Sequence, residues 1–310
     1  MASANFVVTS LPAYVQDNKD LIIKNFALVG TATRKRIGIQ TGIKTSAYLN
    51  YLELAPTLQD GKGCGFTAAG TATLTQRTIT TAIIKVNMDI CPDSLLGKYA
   101  EYLVRIGANS EELPFEQYII DGVTTEINKK IEKLIWQGDT TKTTDTDLKW
   151  INGLLKQFAA DSNVVTVSGL VAGTSAYNAI KAVYMALPEE VIERGALIFV
   201  APALYREFLQ EMVEKNYFHY SGPQDAAPEE FIFPGSDVKV VKTPGLAGTK
   251  SLVGTFGDNL VYGCDAEGDL EDVKIWFSDD DDLFKLKVKW NSGIAYRFPY
   301  LVAYGTIASA

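Results

Sequence analysis

Between residues 114 and 137 apolar side chains return at every fourth position, at Phe115, Ile119, Val123, Ile127, Ile131 and Ile135, with Tyr118 and Leu134 beside them. That period predicts one long helix. Pro114 suits its first turn, where a missing N–H costs nothing, and Gly138 suits the position just past its end. A step of four overshoots a helical turn by roughly 40°, so the stripe winds around the helix and its two ends must meet different partners. At about 1.5 Å per residue the helix spans roughly 36 Å, the length of a strut joining two packed units.

Ahead of the helix the period drops to two. Ile43, Thr45, Ala47, Leu49 and Tyr51 alternate with Lys44, Ser46, Tyr48 and Asn50, and 74–88 continues in a β-rich pattern of threonine and isoleucine. Gly61, Lys62, Gly63, Gly65 and Phe66 fall in the turn-rich stretch between the two runs. The expected structure over 43–86 is a long two-stranded ribbon with a glycine-rich tip. Such a hairpin is marginal alone in water, and long exposed strands invite aggregation. It should therefore lie on another body, a neighbouring copy of the chain. Leu49, Tyr51 and Ile84 are the apolar ribbon residues assigned to that contact, with Gly61, Lys62, Gly63, Gly65 and Phe66 at or beside the tip. Residues 1–42 read as an arm with an apolar patch at 21–29.

Beyond a polar loop at 140–147, strands and helices alternate. The segments 164–167, 197–200, 231–233, 238–241, 252–255 and 260–262 read as strands. Ala176, Ile180, Val183, Tyr184 and Leu187 mark a helix stopped by Pro188, and a second helix over 204–215 turns Phe208 and Met212 inward. From 283 onward Leu286, Val288 and Trp290 alternate with Lys285, Lys287 and Lys289, the pattern of a lysine-protected edge strand, and 294–306 is again β. No internal repeat is visible, and the class is α+β.

The balance of 47% hydrophobic and 21% charged residues belongs to a chain with an ordinary globular core. No apolar run approaches the length of a membrane span. A net charge of −8 is the wrong sign for a protein whose task is to grip phosphate backbones, and the one tight basic run, Arg34-Lys35-Arg36, reads as a solvated loop. Cys64, Cys91 and Cys264 lack paired spacing and read as thiols of a reducing compartment. His219 is the single histidine, and no nucleophile elbow accompanies it. The stretch 61–65 lacks the spacing of a phosphate-binding loop. Asp265, Glu267, Asp269, Glu271 and Asp272 alternate like calcium ligands but lack the glycine and final glutamate of an EF-hand, so they read as a solvated acidic loop. No catalytic residue, cofactor or metal is assigned. An α/β enzyme using His219 or the acidic loop is the alternative from another class.

The order of elements is more informative than any motif. An arm, a glycine-tipped ribbon, a long helix ending in Ile135-Trp-Gln-Gly-Asp139, a re-entry at Gly153-Leu-Leu155, an α/β block with Phe199-Val-Ala-Pro202 before Tyr205, and a return of strands follow one another. This order resembles the major capsid proteins of tailed bacteriophages with the HK97-like fold, over nearly the whole chain. The resemblance implies an extended β-hairpin loop (E-loop) at 43–86 lying over an adjacent subunit. It implies a spine helix at 114–137, a peripheral domain made of 87–149 and 283–310, and an axial domain at 150–282. It further implies self-assembly as pentamers and hexamers into an icosahedral head that encloses double-stranded DNA without specific binding. The location implied is the virion, assembled in the host bacterial cytoplasm, with a portal and decoration proteins as further partners. Some members carry a scaffolding segment ahead of the ribbon; 1–42 is short for one, so the chain resembles members with a separate scaffolding protein or none. Some members crosslink a loop lysine to a neighbour's asparagine, residue types that Lys62 and Asn291 supply. The same fold also builds encapsulin nanocompartments, the alternative shell.

Overall fold

The computed structural model describes residues 31–61, 66, 68–91, 115–215, 230–265, 272–278, 280–281 and 283–308. Strands β1 (Gly38–Gln40), β2 (Ser46–Pro56) and β3 (Gly70–Ile90) precede the long helix α1 (Phe115–Gln137). There follow α2 (Leu154–Ala160), β4 (Val165–Thr166), α3 (Ala176–Ala186), α4 (Glu189–Glu193), β5 (Ala196–Val200) and α5 (Pro202–Glu214). The chain closes with β6 (Glu230–Ile232), β7 (Lys239–Lys242), β8 (Ser251–Phe256), β9 (Leu260–Gly263), β10 (Asp272–Ser278), β11 (Leu283–Tyr296) and β12 (Ala303–Thr306).

Among the described residues the strands form two six-stranded sheets. One runs β1-β9-β11-β3-β2 with β10 paired to β11; the other runs β4-β12-β8-β5-β7-β6. β9 and β10 leave the 150–282 block to join the ribbon's sheet, and β12 returns from the tail to lie between β4 and β8. Long-range pairing overrides chain order because each sheet needs partners for its backbone N–H and C=O groups, whatever their place in the sequence. β11 is likewise no edge strand: it lies between β3 and β10, and its apolar face of Leu286, Val288 and Trp290 is buried.

The helix α1 joins the two sheets. Ile120, Ile127, Ile131, Leu134, Ile135 and Trp136 are buried along it, in one continuous core with Ile84, Ile275 and Leu286 of the first sheet and Ile198, Phe199 and Val240 of the second. At its end the Trp136 ring lies 5.2 Å from that of Phe199, and the Gln137 amide donates to the carbonyls of Gly245 and Ala247 (2.7 and 2.9 Å). Gly138 stops the helix as expected, but the reason is close approach and not a left-handed turn. A Cβ there would stand 2.5 Å from the Ile151 carbonyl oxygen, and the facing Gly153 N–H donates to the Gly138 oxygen at 2.8 Å.

Sequence reasoning overlooked Glu132. This carboxylate is 2% exposed and is bound by the hydroxyls of Thr31 and Thr33 and by the Thr33 N–H (3.1 Å), while Trp136 Nε1–H donates to Thr33 Oγ1 (2.7 Å). Burial pushes its carboxyl above the usual range, against the hydroxyl donors and the Arg34 charge that hold it down. The basic run beside it is not solvated as expected. Arg34 is buried and donates to Asn128 Oδ1 (2.5 Å) with Tyr262 beneath it, and Arg36 pairs with Glu230 (2.5 Å). The segment 31–36 is thereby fastened to α1, and charge that composition assigned to water serves inside the subunit.

Candidate assembly site

The ribbon is built as the alternation requires. β2 and β3 pair antiparallel from Ser46↔Thr80 to Pro56↔Gly70, so directly opposite residues share a face. One face carries Ala47–Ile79, Leu49–Arg77 and Tyr51–Thr75; the other carries Tyr48–Thr78, Asn50–Gln76, Leu52–Leu74 and Leu54–Ala72.

These faces have opposite destinations from those expected. Leu49, assigned to a neighbour, is 4% exposed in the single subunit and packs with Ile43, Ile79, Val261 and Ala295 in a small core of its own. Ile84 is 6% exposed in the main core, and Tyr51 meets Phe298 at 4.7 Å. β9 and the end of β11 pass beneath the root of the ribbon and supply the surface that the sequence reading gave to another copy. The apolar residues left outside are Tyr48, Leu52, Leu54, Leu58 and Leu74, joined by Phe66, which is 94% exposed. Gly61 is exposed at the tip; Lys62, Gly63 and Gly65 lie outside the described residues.

Two polar devices hold the root. The Asn291 amide, fully buried, donates to the carbonyls of Ile43 (2.6 Å) and Lys44 (3.0 Å) and to Thr81 Oγ1 (2.9 Å). That burial removes Asn291 from consideration as a crosslink acceptor and makes it a clasp on the ribbon's first turn. Further along β3, Arg77 pairs with Asp161 and lies 4.1 Å over the Tyr296 ring, whose hydroxyl donates to Asp161 Oδ2 (2.8 Å). Burial by itself would raise the Asp161 carboxyl; donors from Asn163, Tyr296 and Arg77 outweigh it and hold the group below the usual carboxylate range. Burial pushes the Tyr296 hydroxyl up to about 12. Around this triad opens a cleft of 530 Å³ lined by Gln76, Thr78, Gln157 and Ser162 among others. The Arg77–Asp161 pair and Tyr296 within it hold ribbon to body, which is a mechanical arrangement.

His219 and 266–271 lie outside the described residues, Asp265 is buried, Cys91 is exposed and Cys264 buried. Among the described residues no group of three or more His, Cys, Asp or Glu could hold a metal ion, and no helix is long and apolar enough to cross a membrane.

No family model matches the sequence, and neither does any curated protein. Solved structures do. The chain is similar to one from the satellite phage P4 procapsid (TM-score 0.61, 11% identity, covering 96% of this chain and 100% of that one). It is similar to the capsid of an empty GTA particle (0.56, 11%, 90% and 91%) and to a virus-like particle from Pyrococcus furiosus (0.51, 9%, 96% and 97%). The end-to-end coverage defines a shell-protein fold. The chain has the α+β architecture called HK97-like, with the ribbon, long helix and second sheet in the order the sequence suggested.

Proposed function

We propose that this chain is the major structural subunit of a phage head, assembling as pentamers and hexamers into a closed icosahedral shell around double-stranded DNA, in a virion put together in the host cytoplasm. A separate scaffolding protein, a portal and decoration proteins are the further partners of such a head. The role is structural and needs no active site.

One observation carries the reading. The outer half of the ribbon holds Leu52 opposite Leu74, then Leu54, Leu58 and Phe66, all exposed in the single subunit. Contiguous apolar side chains on a two-stranded ribbon mark a surface meant to be covered, and a ribbon rooted this firmly in its own subunit is placed to reach another copy. Each covered leucine or phenylalanine contributes about 1–3 kcal/mol, repeated at every subunit of a shell.

The test is Leu52→Asp with Leu74→Asp. Both side chains are exposed, so the subunit should stay folded and soluble, while electron microscopy of the expressed protein should show closed shells for wild type and none for the variant. In hydrogen exchange, amides around 52–58 and 70–74 should exchange fast in free subunits and slowly in particles, with the Ile43–Leu49 root protected in both. Wild-type shells from the variant, or equal exchange in both states, would overturn the ribbon contact.

A further inference from the structure

The strand β3 has neighbours on both sides, but neither follows it along its whole length. β2 covers one side from Gly70 to Thr80, and β11 covers the other from Thr81 to Ile90. Thr81 N–H donates to the Thr45 carbonyl on the β2 side (2.9 Å). Strand alternation then turns the N–H and C=O groups of Ile83, Lys85, Asn87 and Asp89 to that side, where among the described residues no strand pairs with them. β11 in turn holds β3 on one side and, end to end, β10 and β9 on the other. Along the rung Asn87↔Lys287↔Lys274 the same alternation points Lys274 at β11 and turns the backbone groups of Val273, Ile275 and Phe277 outward. The three-stranded part β3–β11–β10 therefore ends in two open edges. Both run in unbroken register, without a bulge or a proline to blunt them.

We propose that the β3 edge of one copy pairs in parallel with the β10 edge of a second copy, a contact distinct from that of the ribbon and resting on the shell reading. β3 and β10 run the same way, both antiparallel to β11, so repeating the sheet sideways brings them together in parallel. A parallel ladder needs each residue turned toward the partner strand to stand opposite one turned away, with their side chains on one face. Asn87 beside Lys274 of the second copy meets both conditions and prolongs the rungs the subunit already has, such as Met88↔Leu286↔Ile275. On the core-facing side Met88 at one edge and Phe277 at the other are exposed, although Ile90 and Ile275 next to them are buried. The pairing lays Met88 beside Ile275 of the second copy, and Phe277 of the second copy beside Ile90. A slip of two residues would set Lys85 opposite Lys274, and like charges directly opposite destabilise a sheet. A strand from another protein would close one edge and leave the other open, and so would β3 pairing with itself about a two-fold axis. The head-to-tail contact closes both edges at once and repeats from copy to copy.

The test uses the full chain with Cys64 and Cys91 changed to serine, carrying either Asn87→Cys or Lys274→Cys. Both positions are exposed and stand opposite each other across the proposed pair, where strands about 4.8 Å apart bring two cysteines within disulfide reach. After assembly and mild oxidation, denaturing electrophoresis should show crosslinked dimers from the mixture of the two variants and none from either alone. A chain carrying both changes should give a ladder of multiples. Where Lys274→Cys does not fold, Asp89→Cys with Trp276→Cys, the next rung on the same face, carries the same test. In hydrogen exchange the amides of Asn87, Ile275 and Phe277 should exchange about tenfold or more slower in the assembled protein than in free subunits. Asn87→Cys that crosslinks to itself would assign the edge to two-fold self-pairing and overturn the proposal. Assembled protein that gives no mixed crosslink overturns the edge contact and leaves the shell reading standing. Crosslinked ladders that never close into shells count against the shell reading alone, and a chain that stays monomeric overturns both.

Discussion

Replacing Gly138 with alanine would set a methyl group 2.5 Å from the Ile151 carbonyl oxygen and 2.6 Å from that of Leu134. Both obstacles are backbone, so neither can swing aside as a side chain would. Relief requires the chain at 151–153 to retreat by close to 1 Å, which stretches the hydrogen bonds from Gly153 N–H to Gly138 (2.8 Å) and from Asp139 N–H to Leu148 (2.7 Å). Overpacking costs about 1–3 kcal/mol and each weakened buried hydrogen bond about 1 kcal/mol, so the expected loss is about 3–5 kcal/mol. Gly122 is the internal control. It lies in the exposed part of α1 with nothing within 4 Å of an added Cβ, and alanine there should stabilise by about 0.5–1 kcal/mol through helix propensity alone. Urea unfolding of the unassembled subunit reads both: at a slope of about 3 kcal/mol/M, Gly138→Ala should lower the midpoint by about 1–1.7 M while Gly122→Ala raises it slightly. A Gly138→Ala midpoint within experimental error of wild type would refute the claim that this junction is closed by backbone contact.

Asn291→Ala should cost about 2–4 kcal/mol, because the carbonyls of Ile43 and Lys44 lose their buried donor, and it should speed exchange at the root amides, such as Ile43 N–H, in the free subunit. Asp161 and Glu132 should titrate in opposite senses. The Asp161 pKa is lowered in the fold, so its stabilisation is present above the unfolded value of about 3.9 and lost as pH falls through the folded one; Asp161→Asn should flatten the acid limb of a midpoint-against-pH curve. The Glu132 pKa is raised, so the stability it lends in protonated form is present below about 4.3 and lost as pH rises through its folded value. Wild type should therefore lose ground to Glu132→Gln as pH climbs from 4 to 7, and parallel curves for the pair would contradict the assignment.

What the sequence determined by itself was everything set by near neighbours. The helical period and its stop at Gly138 were legible, because a side chain's direction on a helix depends on residues three and four positions away. So were the two faces of the ribbon, since strand pleating repeats every second residue. The order of elements then indicated the shell fold, which the structural likenesses bear out. The destination of each face belonged to the tertiary structure. Leu49 is interior only because Val261 and Ala295 arrive beneath it, and Asn291 clasps Ile43 from 248 residues along the chain. The buried charges were illegible for the same reason. In composition Glu132 and Arg34 are ordinary surface residues, and they become tolerable inside only when Thr31, Thr33 and Asn128 bring donors and acceptors to them. Such pairings are fixed by contacts between distant segments, and no local period of apolar and polar residues records them.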